Sequence, residues 1–406
     1  MSLRGGFMLG SRVVGALGRV LLDRAEERLG RGLPRTAEQL ASPDIVNGLI
    51  RSYAPSGETP LPTVRAVRLS GVDFESSNCR NFLIDLEFDA EAAGKTPLPK
   101  TAYAKLPCAE IGTRVFANAV GFWETEVAFC ARLARRVPIR VPRVYAAARQ
   151  GTRFALLLEN LHELPGARLF INRDMAAGTT PERARMCLRT FAELHAAFWD
   201  LGLDEREALL PARLHTYLAP CARERMRSLN AIAIVPAHKA APDIFTREHV
   251  AIFRQAIEKW DALIDFWYSG PLTLIHGDSH LANCFEYASP DGPRMGMLDF
   301  QGVQWCKGIR DVQYFLINSL EPEILARCEG ELIDHYVDVL AESGITLCPE
   351  DAREQYRAFS FQTLMVAVVS IGLGSLTERD ETIRTILERS VAAIDRLGFG
   401  EWLEAL

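Results

Sequence analysis

Thr273-Leu-Ile-His-Gly-Asp-Ser-His-Leu-Ala-Asn-Cys-Phe-Glu286 and Met295-Gly-Met-Leu-Asp-Phe-Gln301 are the two stretches on which the reading of this chain turns. Each is a short apolar run ending on polar residues, and the turn Ser289-Pro-Asp-Gly-Pro293 lies between them, so they read as strands inside a region otherwise helical in period. Polar side chains at such junctions stand where a rigid scaffold presents chemistry. Asp278, Asn283 and Asp299 therefore gather two carboxylates and an amide on one small piece of structure. The set suits phosphoryl transfer, which needs a carboxylate to orient and deprotonate an attacking hydroxyl and oxygen ligands for the Mg²⁺ that bridges nucleotide phosphates. Asp278 fits the first role; Asn283 and Asp299 fit the second.

Outward from this island, helical periodicity covers Pro181 to Leu201, Arg247 to Tyr268, Asp311 to Ser319, Glu321 to Ser343 and Pro349 to Thr377. Upstream of Glu159 the period shortens towards two. Val64 to Leu69, Asn81 to Phe88, Thr101 to Leu106, Val141 to Ala148 and Phe154 to Leu158 read as strands of a small antiparallel sheet. Glu110 to Arg136 carries Phe116, Val120, Trp123, Val127, Cys130 and Leu133 at helical spacing and reads as one helix on that sheet, stopped by Pro138. Thr36 to Ile50 reads as two short helices, the second opening at Pro43 after Ser42. The expected organisation is a helical leader over 1–60, a nucleotide-binding N-lobe over 61–160 and a mainly helical C-lobe over 161–406 that holds the catalytic loop and the acceptor site.

The charge balance narrows the partners. At 406 residues the chain exceeds what one core usually supports, and its net charge of −6 is the wrong sign for neutralising nucleic-acid phosphates, so nucleic acid is not an expected partner. Nine cysteines form no C-x-x-C pair and no zinc spacing, and they read as small apolar residues of a reducing, cytoplasmic protein. Met1 to Leu22 is basic through Arg4, Arg12 and Arg19, but glycines interrupt its apolar stretch and no cleavage site follows, so it is not read as a targeting segment. Ala358 to Thr377 is uncharged and long enough to span a bilayer. It contains Ser360, Gln362, Thr363, Ser370 and Ser375, however, and reads as a buried helix; no stable membrane insertion is expected. Nothing in the sequence fixes the oligomeric state.

H-G-D-x-x-x-x-N followed by D-F or D-W is the signature of aminoglycoside phosphotransferase and choline kinase-like enzymes, and the chain resembles that superfamily through His276-Gly-Asp278, Asn283 and Asp299-Phe300. Protein kinases carry H-R-D and D-F-G, so Gly277 and Gln301 both point to the small-molecule branch. Asp299-Phe-Gln301 together with Asp311-Val-Gln-Tyr-Phe-Leu316 looks most like the ecdysteroid kinase-like subgroup. In that subgroup a bulky residue, often Trp, commonly stands where this chain has His280, so His280 inherits no role.

The resemblance implies an α+β, two-lobed protein kinase-like fold, ATP and Mg²⁺ as cofactors, and transfer of the γ-phosphoryl group to a hydroxyl of a small molecule. A lipophilic alcohol such as a steroid or hydroxyacyl compound ranks first as acceptor; aminoglycosides, choline and sugars belong to the wider superfamily. Lys105 in Ala102-Tyr-Ala-Lys-Leu-Pro107 looks like the strand lysine that contacts phosphates, and Glu126 in Glu126-Val-Ala-Phe129 like the helix glutamate that pairs with it. Glu124 competes for that role, but two residues away on a helix points to a different face. The turn Gly71 to Arg80 resembles the loop over the phosphates, with donors from Ser76, Ser77 and Asn78. Leu156-Leu-Leu-Glu-Asn-Leu161 resembles the hinge that recognises adenine, usually L-L-E-D-L, which makes Glu159 and Leu161 hinge candidates.

His276 and Asp311 are expected to hold the loop, and His195 to be a satisfied core histidine. Gly277-Asp-Ser-His280 imitates a metallophosphoesterase block, but the D-x-H and G-N-H blocks of those enzymes are missing, as is the G-x-S-x-G of a serine hydrolase. The alternative outside catalysis is an inactive kinase-like scaffold that binds nucleotide. Drift to a scaffold would be expected to damage Lys105, Asp278, Asn283 or Asp299, and all four are present.

Overall fold

The computed structural model describes residues 3–30, 32–53, 63–70, 74–75, 78–89, 98–211, 217–218, 220–374 and 381–406. The chain divides into two compact units: a sheet unit of Gly10–Arg136 with Val141–Leu164, and a helical unit of Pro165–Leu406 with Val137–Arg140 and the start of the chain. The class is α+β, as expected: an antiparallel sheet in one unit and a mainly helical second unit.

Six strands build the sheet unit: β1 (Val64–Leu69), β2 (Phe74–Glu75), β3 (Cys79–Phe88), β4 (Thr101–Pro107), β5 (Val144–Gln150) and β6 (Arg153–Glu159). They run antiparallel in the order β1-β3-β4-β6-β5, with β2 on β3. Strand side chains alternate between faces, and this alternation sorts the sheet. Ala102, Ala104 and Leu106 of β4 join Ile84, Leu86, Ala155 and Leu157 in one apolar cluster, completed by Leu40, Val46, Leu49 and Ile50 of the helices Ala37–Leu40 and Pro43–Tyr53. The leader helices thus close one face of the sheet. The odd-numbered Lys105 is left on the other face.

One feature of this unit departs from the sequence reading. The helix expected over Glu110 to Arg136 is two helices, Ile111–Val120 and Phe122–Arg132, because Gly121 adopts φ +91 and ends the first through its left-handed turn. The first residues form a long helix, Leu3–Arg28, whose acidic side chains bind the sheet unit. Asp23 accepts from the Thr152 amide (2.5 Å), Glu26 pairs with the fully buried Arg153 (2.6 Å), and Glu27 with the buried Arg114 (3.1 Å).

In the helical unit, β8 (Thr273–Ile275) pairs with β11 (Gln304–Cys306), while β7 (Arg168–Leu169), β9 (Cys284–Ser289) and β10 (Gly292–Met297) form a small sheet in the order β10-β9-β7. Around this island stand the helices Pro181–Ala197, Ile309–Ser319, Pro322–Glu342 and Pro349–Gly372. Pro349–Gly372 contains the uncharged stretch as far as Gly372, Ser375 to Thr377 lying outside the described residues; Thr363 exchanges hydrogen bonds with Gln313 (2.9 and 3.0 Å), and Ser360 donates to the Arg357 carbonyl (2.6 Å). Among the described residues no helix is long and apolar enough to cross a membrane. The helix expected over Arg247 to Tyr268 breaks at Lys259, and a further helix, Pro220–Ala240, runs through Pro236 despite that residue's usual effect.

Candidate active site

The catalytic-loop candidates lie where β8 ends and where β10 runs towards β11. Gly277 takes φ +80, and a Cβ there would come within 2.0 Å of the Gly302 carbonyl oxygen. Only glycine lets the two loops approach this closely. Gly277→Ala is therefore expected to destabilise the helical unit by about 1–3 kcal/mol, checked by chemical denaturation; a variant as stable as the parent would show that the two loops separate freely.

His276 ties the loops together. Its Nδ1 accepts the Asp278 amide hydrogen (3.2 Å), so its Nε2 carries the proton and donates to the Leu298 carbonyl (2.9 Å). These partners fix the tautomer, because a backbone N–H can only donate and a carbonyl only accept. Leu298 in turn donates its amide to the Asn283 carbonyl (2.9 Å). The residue before Asp299 is thus held through both of its backbone polar groups. Asp299 itself adopts φ +62 and ψ +62, a left-handed conformation that costs a non-glycine residue about 1–2 kcal/mol. Such a residue persists only where its surroundings impose it.

Asn283 donates from Nδ2 to the Asp278 carbonyl (2.8 Å) and to its carboxylate Oδ2 (3.2 Å). With the amide nitrogen engaged, the other end, Oδ1, is the acceptor this side chain offers. His280 Nε2 lies 3.3 Å from Asn283 Nδ2 and 3.7 Å from Asp278 Oδ1, and its Nδ1 is buried without a partner. Burial lowers the His280 pKa, as does His276, against the opposing pull of the Asp278 and Asp299 carboxylates. Asp299 follows Leu298, whose amide binds the Asn283 carbonyl, so its backbone lies beside the residue that grips Asp278. Among the described residues no group of three or more His, Cys, Asp or Glu side chains is arranged to hold a metal.

Beneath the loop, Asp311 is fully buried and accepts from the amides of His276 (2.6 Å) and Gly277 (2.9 Å), while His195 Nε2 lies 3.2 Å from its carboxylate. His195 Nδ1 meets the Tyr336 hydroxyl (2.9 Å), and the His195 carbonyl accepts from Thr273 (2.7 Å). Burial pushes the Asp311 pKa up, but the His195 hydrogen bond and the nearby imidazoles and Gly277 amide outweigh it, so the carboxyl lies below its ordinary value. Ser279 and Leu281 are held from the same helix, by the Asp311 carbonyl (2.9 Å) and the Ser319 hydroxyl (3.0 Å).

In the sheet unit, Lys105 Nζ meets Glu126 Oε1 at 2.7 Å, with 6% and 4% of the two side chains exposed. Glu124 pairs instead with Arg149 (3.3 Å). Asn78 is buried at the start of β3, where its carbonyl accepts from Cys108, whereas Ser76 and Ser77 lie outside the described residues. Glu159 ends β6, opposite Ala102, and accepts the Arg143 amide (3.0 Å); Leu161 is buried in the following turn. Six residues of strand separate the Cys108 and Ala102 ends, about 20 Å, so Asn78 and Glu159 do not meet.

Two residues of this region escaped the sequence reading. Tyr314 is buried beside His280, with ring centroids 6.4 Å apart, and Arg310, one turn earlier on the same helix, is a buried cation. Both sit in or beside the Asp311-Val-Gln-Tyr-Phe-Leu316 stretch, and helical spacing from the loop anchor Asp311 is the signal that could have marked Tyr314.

Among solved structures, three kinases are similar to this chain. An ethanolamine kinase from Plasmodium vivax shares 11% identity, with 80% of this chain and 81% of that one covered and a TM-score of 0.48. A choline kinase from Cryptosporidium parvum Iowa II shares 11% identity over 90% and 96% of the two chains, with a TM-score of 0.47. For a choline kinase from Streptococcus pneumoniae the identity is 12%, the coverage 82% and 94%, and the TM-score 0.44. None of the curated proteins matches the chain. The model of the ecdysteroid kinase-like family matches residues 112–348, more than half of the sequence, and the chain therefore belongs to the ecdysteroid kinase-like family of small-molecule kinases.

Proposed function

We propose that the protein moves the γ-phosphoryl group of ATP directly to a hydroxyl of a small molecule, with Mg²⁺ and without a phosphoenzyme. The observation that carries this reading is the Asp278–Asn283 contact beside the clamped Asp299: one carboxylate held by an amide whose oxygen end is presented, next to a second carboxylate in an imposed conformation. The donor set fits Mg²⁺, which takes oxygen ligands, keeps several waters and needs one or two protein ligands when substrate phosphates supply the rest. Asn283 Oδ1 and the Asp299 carboxylate would hold it, and when bound it neutralises charge on the phosphates.

Asp278 orients the acceptor hydroxyl and takes its proton as the new P–O bond forms. His280, kept neutral, leaves that carboxylate without a fixed counter-charge. Lys105, held by Glu126, positions the nucleotide phosphates, with donors from Ser76, Ser77 and Asn78, and the Glu159–Leu161 backbone reads adenine. A lipophilic alcohol is the favoured acceptor class. Cys187, Cys221, Cys284, Cys306, Cys328 and Cys348 carry free thiols, which supports a reducing, cytoplasmic setting.

Asp299→Asn tests the metal assignment. It is expected to raise the Mg²⁺ concentration for half-maximal ATP binding by about tenfold or more, the cost of removing one charged ligand, read by calorimetric titration at fixed ATP. An unchanged Mg²⁺ requirement would remove Asp299 from the metal site.

A further inference from the structure

From Gly10 onward the helix Leu3–Arg28 has two unlike faces. One is fastened to the sheet unit. Ala16 and Val20 are fully buried there, and Asp23 and Glu27 continue that face at helical spacing into their contacts with Thr152 and Arg114. Arg12 donates to the Ala119 carbonyl (3.2 Å) and Arg24 to the Ala109 carbonyl (3.0 Å).

The opposite face is apolar and open. Val14, Leu17 and Leu21 recur on it at helical spacing, with Val13, Leu22 and Leu29 to either side. Val14 is 68% exposed, Leu21 52% and Leu22 69%. Among the described residues, six of the thirteen exposed large apolar side chains fall between Val13 and Leu29, so they form a patch and not the usual scatter of single residues. Gly10 and Gly18 lie on the same side, where an added Cβ would meet nothing within 4 Å.

Charge selects what covers this patch. Met1 to Leu22 carries Arg4, Arg12 and Arg19 and neither Asp nor Glu. The acidic residues that follow, Asp23, Glu26 and Glu27, are engaged with the sheet unit. Arg28 stands two turns beyond Leu21 on the open face, and Arg19 stands at its edge, one turn before Leu22. Both are exposed, and among the described residues neither forms an ion pair. An apolar stripe whose free charges are all cationic matches an anionic lipid surface, which takes apolar side chains at the acyl boundary and guanidinium groups at the phosphates. A second copy of the chain would bring these arginines together with every carboxylate of the helix already engaged.

We infer that the outer face of Leu3–Arg28 seats the sheet unit reversibly on a membrane that carries anionic lipid, with the helix lying in the interface and not crossing it. This agrees with the absence, among the described residues, of a helix long and apolar enough to span a bilayer. A membrane surface is also where a lipophilic alcohol, the favoured acceptor class, dissolves. The binding itself needs neither nucleotide nor turnover and stands apart from the kinase proposal.

The test is flotation of the full chain with vesicles of phosphatidylcholine alone and of phosphatidylcholine mixed with phosphatidylserine. Binding to the mixed vesicles is expected to exceed binding to phosphatidylcholine by about tenfold or more, the scale of a pair of arginines at an anionic surface, and to weaken as salt is raised. Val14→Glu combined with Leu21→Glu should abolish vesicle binding while leaving the circular dichroism and thermal midpoint of the parent, because both side chains are exposed. Arg19→Gln combined with Arg28→Gln should remove the preference for phosphatidylserine. Should the glutamate variant fail to fold, the glutamine variant still decides, since an unchanged preference would overturn the inference. Binding to neither vesicle, equal binding to both, or binding that survives in the folded glutamate variant would overturn it as well. So would a chain that ignores vesicles but sediments as a dimer that the glutamate substitutions break, which would give the face to a second copy.

Discussion

Asp278→Asn is expected to lower kcat by about 10²–10⁴-fold, the usual contribution of a positioned general base, while the Kd for Mg-ATP stays within about threefold. The substitution keeps the size of the side chain. The backbone contacts that place it, its amide on His276 Nδ1 and its carbonyl on Asn283 Nδ2, do not involve the carboxylate. An amide in the same position can still face Asn283 but cannot take a proton from a hydroxyl. A group that acts only in the transition state lowers kcat and kcat/KM together. The measurement is steady-state kinetics beside nucleotide titration of the same preparation, and equal losses in turnover and ATP affinity would sink the assignment of Asp278 as base.

Removing the loop anchor produces the second large effect. Asp311→Ala strands the His276 and Gly277 amides and the His195 imidazole in the interior, and about 3–5 kcal/mol of stability should be lost, the cost of breaking a buried charged network from one side. Hydrogen exchange reads this best, because a two-unit chain need not unfold in one step: amides of residues 273–283 should lose protection while those of β4 and β6 do not. Retained protection over 273–283 would show that the loop holds itself. The pH dependence has a definite sign. Asp311 has its folded pKa below the ordinary 3.8, so its contribution is present above that value and is lost as the pH falls through the folded pKa. Asp311→Asn should therefore show a flatter acid limb of the stability profile than the parent.

The catalytic island was legible because its residues are local. His276 to Asn283 and Asp299 flank the hairpin of β9 and β10, so spacing along the chain translates directly into neighbourhood. Lys105 and Glu126 could also be read, since a lone lysine in an apolar strand needs a partner and the strand period determines the face on which it waits. What escaped depends on contacts distant in sequence. The leader over 1–60 was expected to be helical, but not what holds it: Asp23, Glu26 and Glu27 recur at helical spacing, and their partners lie more than eighty residues away. Gly121 and Lys259 break helices whose apolar period continues across the break, so periodicity alone could not show the ends. Arg310 was hidden for the opposite reason: nothing in a sequence distinguishes a buried arginine from a solvated one, and only the fold reveals which it is.

Transfer of the γ-phosphoryl group of ATP to a small-molecule hydroxyl leaves a product that its mass identifies. The purified protein is incubated with Mg-ATP and a panel of sterols, hydroxy acids, choline, sugars and aminoglycosides, and the acceptors are read by mass beside the Asp278→Asn variant. A phosphorylated acceptor is expected with the parent and none with the variant. A protein that binds no Mg-ATP, or a product formed equally by the Asp278→Asn variant, would contradict it.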